Sequence, residues 1–238
     1  MPKEENHSTG AAGDTAANAL TAAGDKDLAA LGGGGDIPAF EELVFRYEKR
    51  IAAAAYRLCG DRQEGEDLAQ EVFVKAWKAL SGYRGQASFG AWLTAILTNL
   101  WKDRLRKKRF PQDSLDEAIE GEEGARTKQY PDSSPGPDQL AEAGETGAVL
   151  GGMILELQPE FREALILRDV QGFSYEEVAV ITGSNIGTVK SRINRARSLM
   201  KVKILEYQEQ NPEFFRLNQT KKDGAKAAEA EGGGSREG

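Results

Sequence analysis

Apolar residues recur at helical spacing in three stretches of the first half of the chain. Phe40, Leu43, Val44, Tyr47, Ile51, Ala54, Ala55 and Leu58 form the first stripe. Leu68, Val72, Phe73, Ala76, Trp77 and Leu80 form the second. Phe89, Trp92, Leu93, Ile96, Leu97, Leu100, Trp101 and Leu105 form the third, nearly free of mismatches. Spacings of three and four place each set on one helix face. Gly60-Asp61 and the polar run from Ser81 to Gln86 punctuate them. Three helices with short connections are expected to pack as a small bundle.

The second half carries a different pattern. A short helical segment is predicted from Ser174 to Thr182, then a turn at Gly183-Ser184-Asn185, then a longer helix beginning at Ile186. Ser174 with Glu177 three residues later is a capping box, which fixes where the first of these helices starts. In the longer helix Val189, Ile193, Ala196, Met200 and Ile204 share one face. Lys190, Arg192, Arg195, Arg197, Lys201 and Lys203 lie off that stripe, and no acid occurs between Ile186 and Lys203. Helix, glycine-bearing turn and basic helix form the layout of a DNA-reading helix-turn-helix.

The wording of this segment is specific. Gly187-Thr188-Val189-Lys190-Ser191-Arg192 followed by Arg195-Ala196-Arg197 resembles the promoter-reading domain of bacterial RNA polymerase sigma factors, in their extracytoplasmic-function (ECF) group. Gln158 through Ala164 and Leu167 through Ala179 fit the same domain. Asn185 stands where that family usually has proline, and Gln158-Pro159 where Leu-Pro is more usual. The resemblance implies that this domain reads the −35 element with Thr188, Lys190, Ser191, Arg192, Asn194, Arg195 and Arg197. Arginine and lysine can read guanine edges, and the others fix phosphates.

The first half resembles the same family's other conserved domain. Glu66-Asp67-Leu68-Ala69-Gln70-Glu71-Val72-Phe73-Val74-Lys75-Ala76-Trp77 is similar to the segment that holds the clamp helices of the polymerase beta-prime subunit. Asp67, Gln70, Glu71, Phe73, Lys75 and Trp77 are the polymerase-binding residues the resemblance implies, the acids and amides pairing with basic groups. An acidic helix start favoured by the helix dipole accounts for Glu64, Glu66 and Asp67 equally well. The third helix ends in Lys102–Arg109, six of whose eight residues are basic, enough to track several phosphates. Ahead of it lies a polar loop with aromatic ends, a composition suited to holding a flipped base. By resemblance it captures a base of the −10 element through Tyr83, Arg84, Gly85, Gln86, Ser88 and Phe89, with Asn99, Lys102 and Arg106 alongside. An ordinary connecting loop is the plainer alternative.

Charge divides the chain along the same lines. The whole is acidic, with a formal net charge of −7, which taken alone argues against nucleic acid. Residues 39–110 nevertheless carry 14 basic groups against 9 acidic ones, and residues 148–205 carry 8 against 6. The acid is concentrated in residues 1–38, 111–147 and 206–238. The expectation is therefore an all-α protein of two small helical domains, 39–110 and 148–205, joined by a flexible acidic linker, 111–147. A disordered acidic N-terminal extension covers 1–38 and a charged, largely disordered tail covers 206–238. At 37 residues the linker's relaxed span is on the order of 30–37 Å, so the domains can sit on separate promoter elements. Its acidity suits either a spacer or a nucleic-acid mimic on basic polymerase surface, and Phe214, Phe215 and Leu217 are docking candidates in the tail.

Little points to catalysis. One histidine, His7, lies in the N-terminal extension, and one cysteine, Cys59, closes an apolar stripe. The usual zinc sets and an internal disulfide are excluded, and no phosphate-binding glycine motif is present. A carboxylate-bound metal at Glu66, Asp67 and Glu71 would make a nucleic-acid enzyme, the remotest alternative. No signal peptide or membrane span is expected. The sequence thus reads as a cytoplasmic, non-enzymatic sigma factor of the ECF type, without cofactor or metal. Its implied partners are core RNA polymerase (beta-prime clamp helices and beta flap), double-stranded and melted promoter DNA, and an anti-sigma factor. The alternative is a stand-alone helix-turn-helix regulator.

Overall fold

A computed structural model describes residues 19–109 and 144–213, and every regular element among them is helical. The N-terminal half contains α1 (Asp25–Gly33), α2 (Ile37–Cys59), α3 (Arg62–Ala79), a 3-10 turn (Leu80–Gly82) and α4 (Phe89–Arg109). The C-terminal half contains α5 (Gly144–Leu155), α6 (Pro159–Leu165), a π-helical turn (Ile166–Val170), α7 (Tyr175–Thr182) and α8 (Ile186–Gln210).

The three apolar stripes become α2, α3 and α4. Leu43, Ile51, Leu58, Leu68, Val72, Leu93, Leu97 and Trp101 meet in one core, each at most 2% exposed. Side chains set the helix limits. Asp36 Oδ1 accepts from Ala39 N at 3.0 Å to start α2, and Asp61 Oδ1 accepts from Glu64 N at 2.8 Å to start α3. Gly60 ends α2 at φ 78°, a left-handed position natural to glycine. A Cβ there would also lie 2.7 Å from the Leu155 methyl groups of α5. Gly60→Ala should therefore lower unfolding stability by about 1–2 kcal/mol from backbone strain alone. Urea denaturation checks this, and an unchanged midpoint would refute it.

Two boundaries differ from the sequence expectation. The extension assigned to disorder includes α1, whose Leu28 is 0% exposed and joins the N-terminal core. Long-range contacts secure it. Arg46 of α2 pairs with Asp25 at 2.9 Å and donates to the carbonyls of Leu20, Thr21 and Ala23, while the Tyr47 hydroxyl donates to Asp25. Burial first, and then the Asp25 carboxylate, push the Tyr47 phenol upward in pKa. At the other end α8 continues to Gln210, five residues past the expected domain limit. The mimic segment of the linker and the Phe214, Phe215 and Leu217 positions lie outside the described residues.

The two halves are packed together rather than held apart. Ala91 of α4, 1% exposed, shares a core with Leu167, Phe173, Val178, Ile181, Val189 and Ile193 of the C-terminal half. Ile166, 0% exposed, belongs in turn to the N-terminal core. The π turn makes this division possible: Gln171 N donates to Ile166 O at 2.8 Å, one residue further along than an α-helical bond. Consecutive residues Ile166 and Leu167 thereby serve different cores.

Candidate nucleic-acid and polymerase interfaces

The helix-turn-helix forms as its capping signals require. Ser174 Oγ accepts from Glu177 N at 3.1 Å and Glu177 Oε2 accepts from Ser174 N at 2.9 Å, completing the capping box. Those bonds to the charged form hold the Glu177 carboxyl below its ordinary pKa. Gly183 ends α7 at φ 62°. Asn185 then starts α8, its Oδ1 accepting from Thr188 N at 2.8 Å. The departure from proline at this position thus supplies a cap that proline has no side chain to make. Asn185→Ala should cost about 1 kcal/mol of stability, read by thermal or chemical unfolding; no loss would mean the cap is idle.

The residues nominated on α8 do not share one environment. Lys190, Ser191, Asn194 and Arg195 are exposed. Lys190 Nζ also lies over the Tyr175 ring, 5.8 Å from its centre, within cation–π range. Thr188 and Arg192 are half-buried, and Arg192 Nη1 donates to Ser184 Oγ at 3.1 Å. Arg197 is forked onto Asp169, Nε and Nη2 donating at 2.9 and 2.6 Å, and this pairing raises its pKa. Its geometry is that of a brace between α8 and the π turn. Sequence periodicity cannot distinguish it from Arg195, because the brace depends on a residue 28 positions away.

The polar loop before α4 is held by its aromatics. Phe89 is 2% exposed and packs edge-on against Tyr47 and Tyr83 at ring distances of 5.3 and 5.6 Å. The half-buried Tyr83 packs also on Trp92 at 5.2 Å, and its hydroxyl donates to Ala87 O at 2.8 Å. These two aromatics shape the loop, and Phe89 offers no face to a base. Arg84, Gln86 and Ser88 are exposed on it, while Gly85, at φ 69°, turns the chain. Ser88 Oγ donates to Glu177 of α7 at 3.3 Å, a contact across the two halves.

Much of the basic run on α4 is engaged. Lys102 Nζ lies 2.8 Å from Glu163 Oε1 of α6, Arg104 pairs with Glu71 at 2.8 Å, Arg106 approaches Asp103 at 3.3 Å, and Lys108 pairs with Glu64 at 2.8 Å. Asn99, Arg106 and Lys107 are exposed. The expectation that six bases track phosphates together is therefore not the arrangement of this state: α3 supplies acids to Arg104 and Lys108 from across the helix pair. On α3 itself Asp67, Gln70 and Lys75 are exposed and Trp77 is 37% exposed beside Phe40, ring centres 5.0 Å apart. Phe73 is half-buried against the core. Val74 is 55% exposed on the same helix, off the apolar stripe that packs into the core. No group of acids, histidines or cysteines among the described residues is arranged to hold a metal ion.

Among the described residues Glu163 is the one acid that is buried. Burial raises its pKa against the opposing pull of Lys102. A raised folded-state value means that this group's contribution to stability is full below the ordinary carboxylate pKa and is lost as pH rises through the raised one. Relative to Glu163→Gln, which mimics the protonated acid, the native protein should lose stability over that rise. Urea titrations of both across pH read the difference, and a gap that widened in the native protein's favour would contradict it.

Comparison with known proteins follows this division. Residues 43–110 match the family model for Sigma-70 region 2, and residues 148–200 that for Sigma-70 region 4. The sigma-H factor of Pseudomonas aeruginosa is 36% identical over 184 residues, covering 75% of this chain and 92% of that protein. The ECF sigma-E factor of Escherichia coli is 35% identical over 174 residues, 71% and 88% of the two chains. The ECF sigma factor SigE of Mycolicibacterium smegmatis is 35% identical over 166 residues, but this chain spans only 61% of its length. Among solved structures, the sigma factor RpoE of Bartonella quintana, bound to the anti-sigma factor NepR, is 30% identical with a TM-score of 0.53 over 69% of this chain and 96% of that one. CnrH, bound to the cytosolic domain of CnrY, is 28% identical with a TM-score of 0.54 over 76% and 96%.

Proposed function

This chain belongs to the ECF sigma factors of bacterial RNA polymerase, and from that premise we propose how its halves divide promoter recognition. The domain of residues 39–110 binds core polymerase through the exposed side of α3 and reads the −10 element through the loop before α4. The domain of residues 148–205 reads the −35 element through α8. The observation that carries this is the pairing of a basic helix whose exposed face carries no acid from Ile186 to Lys203 with a second basic domain. A stand-alone regulator needs only the first of these.

On α3, Asp67, Gln70, Lys75 and Trp77 offer charge, amide and ring to the beta-prime clamp helices. Glu71 is within reach too, and meeting a basic group there would release Arg104 to the DNA. Phe73 supports that face from within. In the loop, Arg84, Gln86 and Ser88 contact a flipped base while Tyr83, Gly85 and Phe89 fix its frame, and Asn99, Lys102 and Arg106 line the path of the strand. On α8, Lys190, Ser191, Asn194 and Arg195 enter the major groove. Thr188 and Arg192 set the helix start, and Arg197 braces it. The chemistry is binding and strand opening rather than turnover, and it takes place in the cytoplasm, where core polymerase works. No helix among the described residues is long and apolar enough to cross a membrane.

Two similar proteins are recorded with anti-sigma factors or a cytosolic partner domain. An anti-sigma factor covering the polymerase- or DNA-binding faces is accordingly the regulatory partner we assign here, together with a beta-flap contact for the C-terminal domain. Transcription of a genomic-fragment library by core polymerase, with and without the protein, tests the central reading. New start sites preceded by a shared pair of upstream motifs are expected. Tight DNA binding without polymerase, and no new starts with it, would favour the stand-alone regulator.

A further inference from the structure

Beyond its DNA-reading residues, α8 borders an apolar groove of about 380 Å³ that opens to solvent. Ile154, Leu165, Met200 and Ile204 line its inner walls, and Val170 and Leu205 stand along it, 42% and 48% exposed. The Asp169–Arg197 ion pair and Lys201 supply its polar edge. On α8 the groove runs along residues 197–205, past the exposed Lys190, Ser191, Asn194 and Arg195. A second groove, against α5, is more polar: Glu156, Lys203, Glu206 and Gln210 are among its lining groups. Only the first offers the aliphatic walls that aromatic side chains fill well, and contiguous apolar surface of this kind marks an interaction site.

The chain carries a fitting occupant a few residues further on. Asn211 closes α8, its backbone N and Nδ2 donating to Tyr207 O at 2.9 and 3.0 Å. Its φ of −133° and ψ of 64° take the backbone off the helix axis, and Pro212 has no N–H with which to continue α8. Phe214, Phe215 and Leu217 come next, while residues 218–238 hold no apolar side chain larger than alanine. Three large apolar groups within four positions of a polar tail have the composition of an anchor. Reach permits it. Leu205 lies about 7.5 Å back along α8 from Gln210, and Met200 about 15 Å. The chain from Gln210 to Leu217 supplies about 10 Å if helical and about 23 Å if extended. Either length brings the anchor level with Leu205.

We propose that Phe214, Phe215 and Leu217 seat in this groove of their own chain, as an anchor that ties the end of α8 to the π turn. So short a tether gives an effective concentration on the order of 1 mM. An intrinsic dissociation constant of about 100 μM then keeps roughly ten anchored molecules for each free one. The seated anchor covers Val170 and Leu205 and closes the groove to apolar segments of other proteins. It leaves the first half of α8 untouched, so DNA reading and anchoring proceed on separate stretches of one helix.

The test uses the full chain with Cys59→Ser and a cysteine pair, Lys201→Cys at the groove edge and Arg216→Cys between the anchoring side chains. Mild oxidation of dilute protein should close a disulfide within one chain. Replacing Phe214, Phe215 and Leu217 by serine should slow that closure roughly tenfold, because the tether alone then brings the thiols together. These changes lie beyond α8 and leave its fold intact. Equal rates with and without the anchor would overturn the proposal. Disulfides formed mainly between chains would overturn it too, making the groove a contact between two copies. Methyl resonances of Ile204, Leu205 and Val170 give a second reading in the protein without added cysteines. The two rings should shift them, and the serine variant should return them. Shifts that arise only when core polymerase is added would assign the groove to an outside partner instead. Neither reading depends on transcription, so both stand apart from the sigma-factor assignment.

Discussion

Trp101→Ala should destabilise the protein by about 3–5 kcal/mol, the range for removing a buried tryptophan. Trp101 is 2% exposed, sits in the N-terminal core, and has the Arg162 guanidinium of the other half 6.0 Å from its ring centre. Its loss opens a cavity where Ile166 also enters from the C-terminal side. With total stabilities usually near 5–15 kcal/mol, that is a large share. Denaturant unfolding should show a much lower midpoint, and the core without Trp101 should also release α6 more easily. A loss under about 1 kcal/mol would mean that the core rearranges to fill the space.

The second large effect concerns DNA. Replacing both Lys190 and Arg195 by alanine should cut holoenzyme affinity for a promoter by about 1–3 kcal/mol for each residue that reads a base edge. For each that instead neutralises a phosphate, the slope of log affinity against log salt should shrink by about 0.9. Matched and scrambled −35 sequences separate the two roles, since only base reading is lost selectively. Arg197→Ala is the control. Its guanidinium is committed to Asp169, so the expected loss is in unfolding stability, with little change in sequence preference. Unchanged promoter affinity in the double variant would remove α8 from the interface.

The sequence reading and the structure agree wherever a signal is local. Stripes at spacings of three and four become α2, α3 and α4, and the Ser174–Glu177 box starts α7 where it was expected. Helix α1 was missed for a physical reason. Its nine residues hold only two leucines among alanines and glycines, so the hydrophobic periodicity is faint. What fixes it is Arg46 and Tyr47, about twenty positions downstream. Candidate site residues were legible as types and positions but not as states. That Lys102, Arg104 and Lys108 face acids depends on helices brought together by folding, which no window of sequence contains. One long-range clue was present: alanines at 91 and 95, with Ala87 just ahead of the helix, give this part of α4 a narrow side suited to a close neighbour.

The π turn at Ile166–Val170 constrains how this chain can vary. Each residue added to or removed from a helix rotates everything beyond it by about 100° and shifts it by about 1.5 Å. Deleting a single residue here would turn the widened loop of backbone into an ordinary helix and swing α7 and α8 away from α4. A substitution at Val170, 42% exposed, leaves that geometry alone. The segment is thus a spacer of fixed count, open to a change of side chain at Val170 but closed to insertions and deletions.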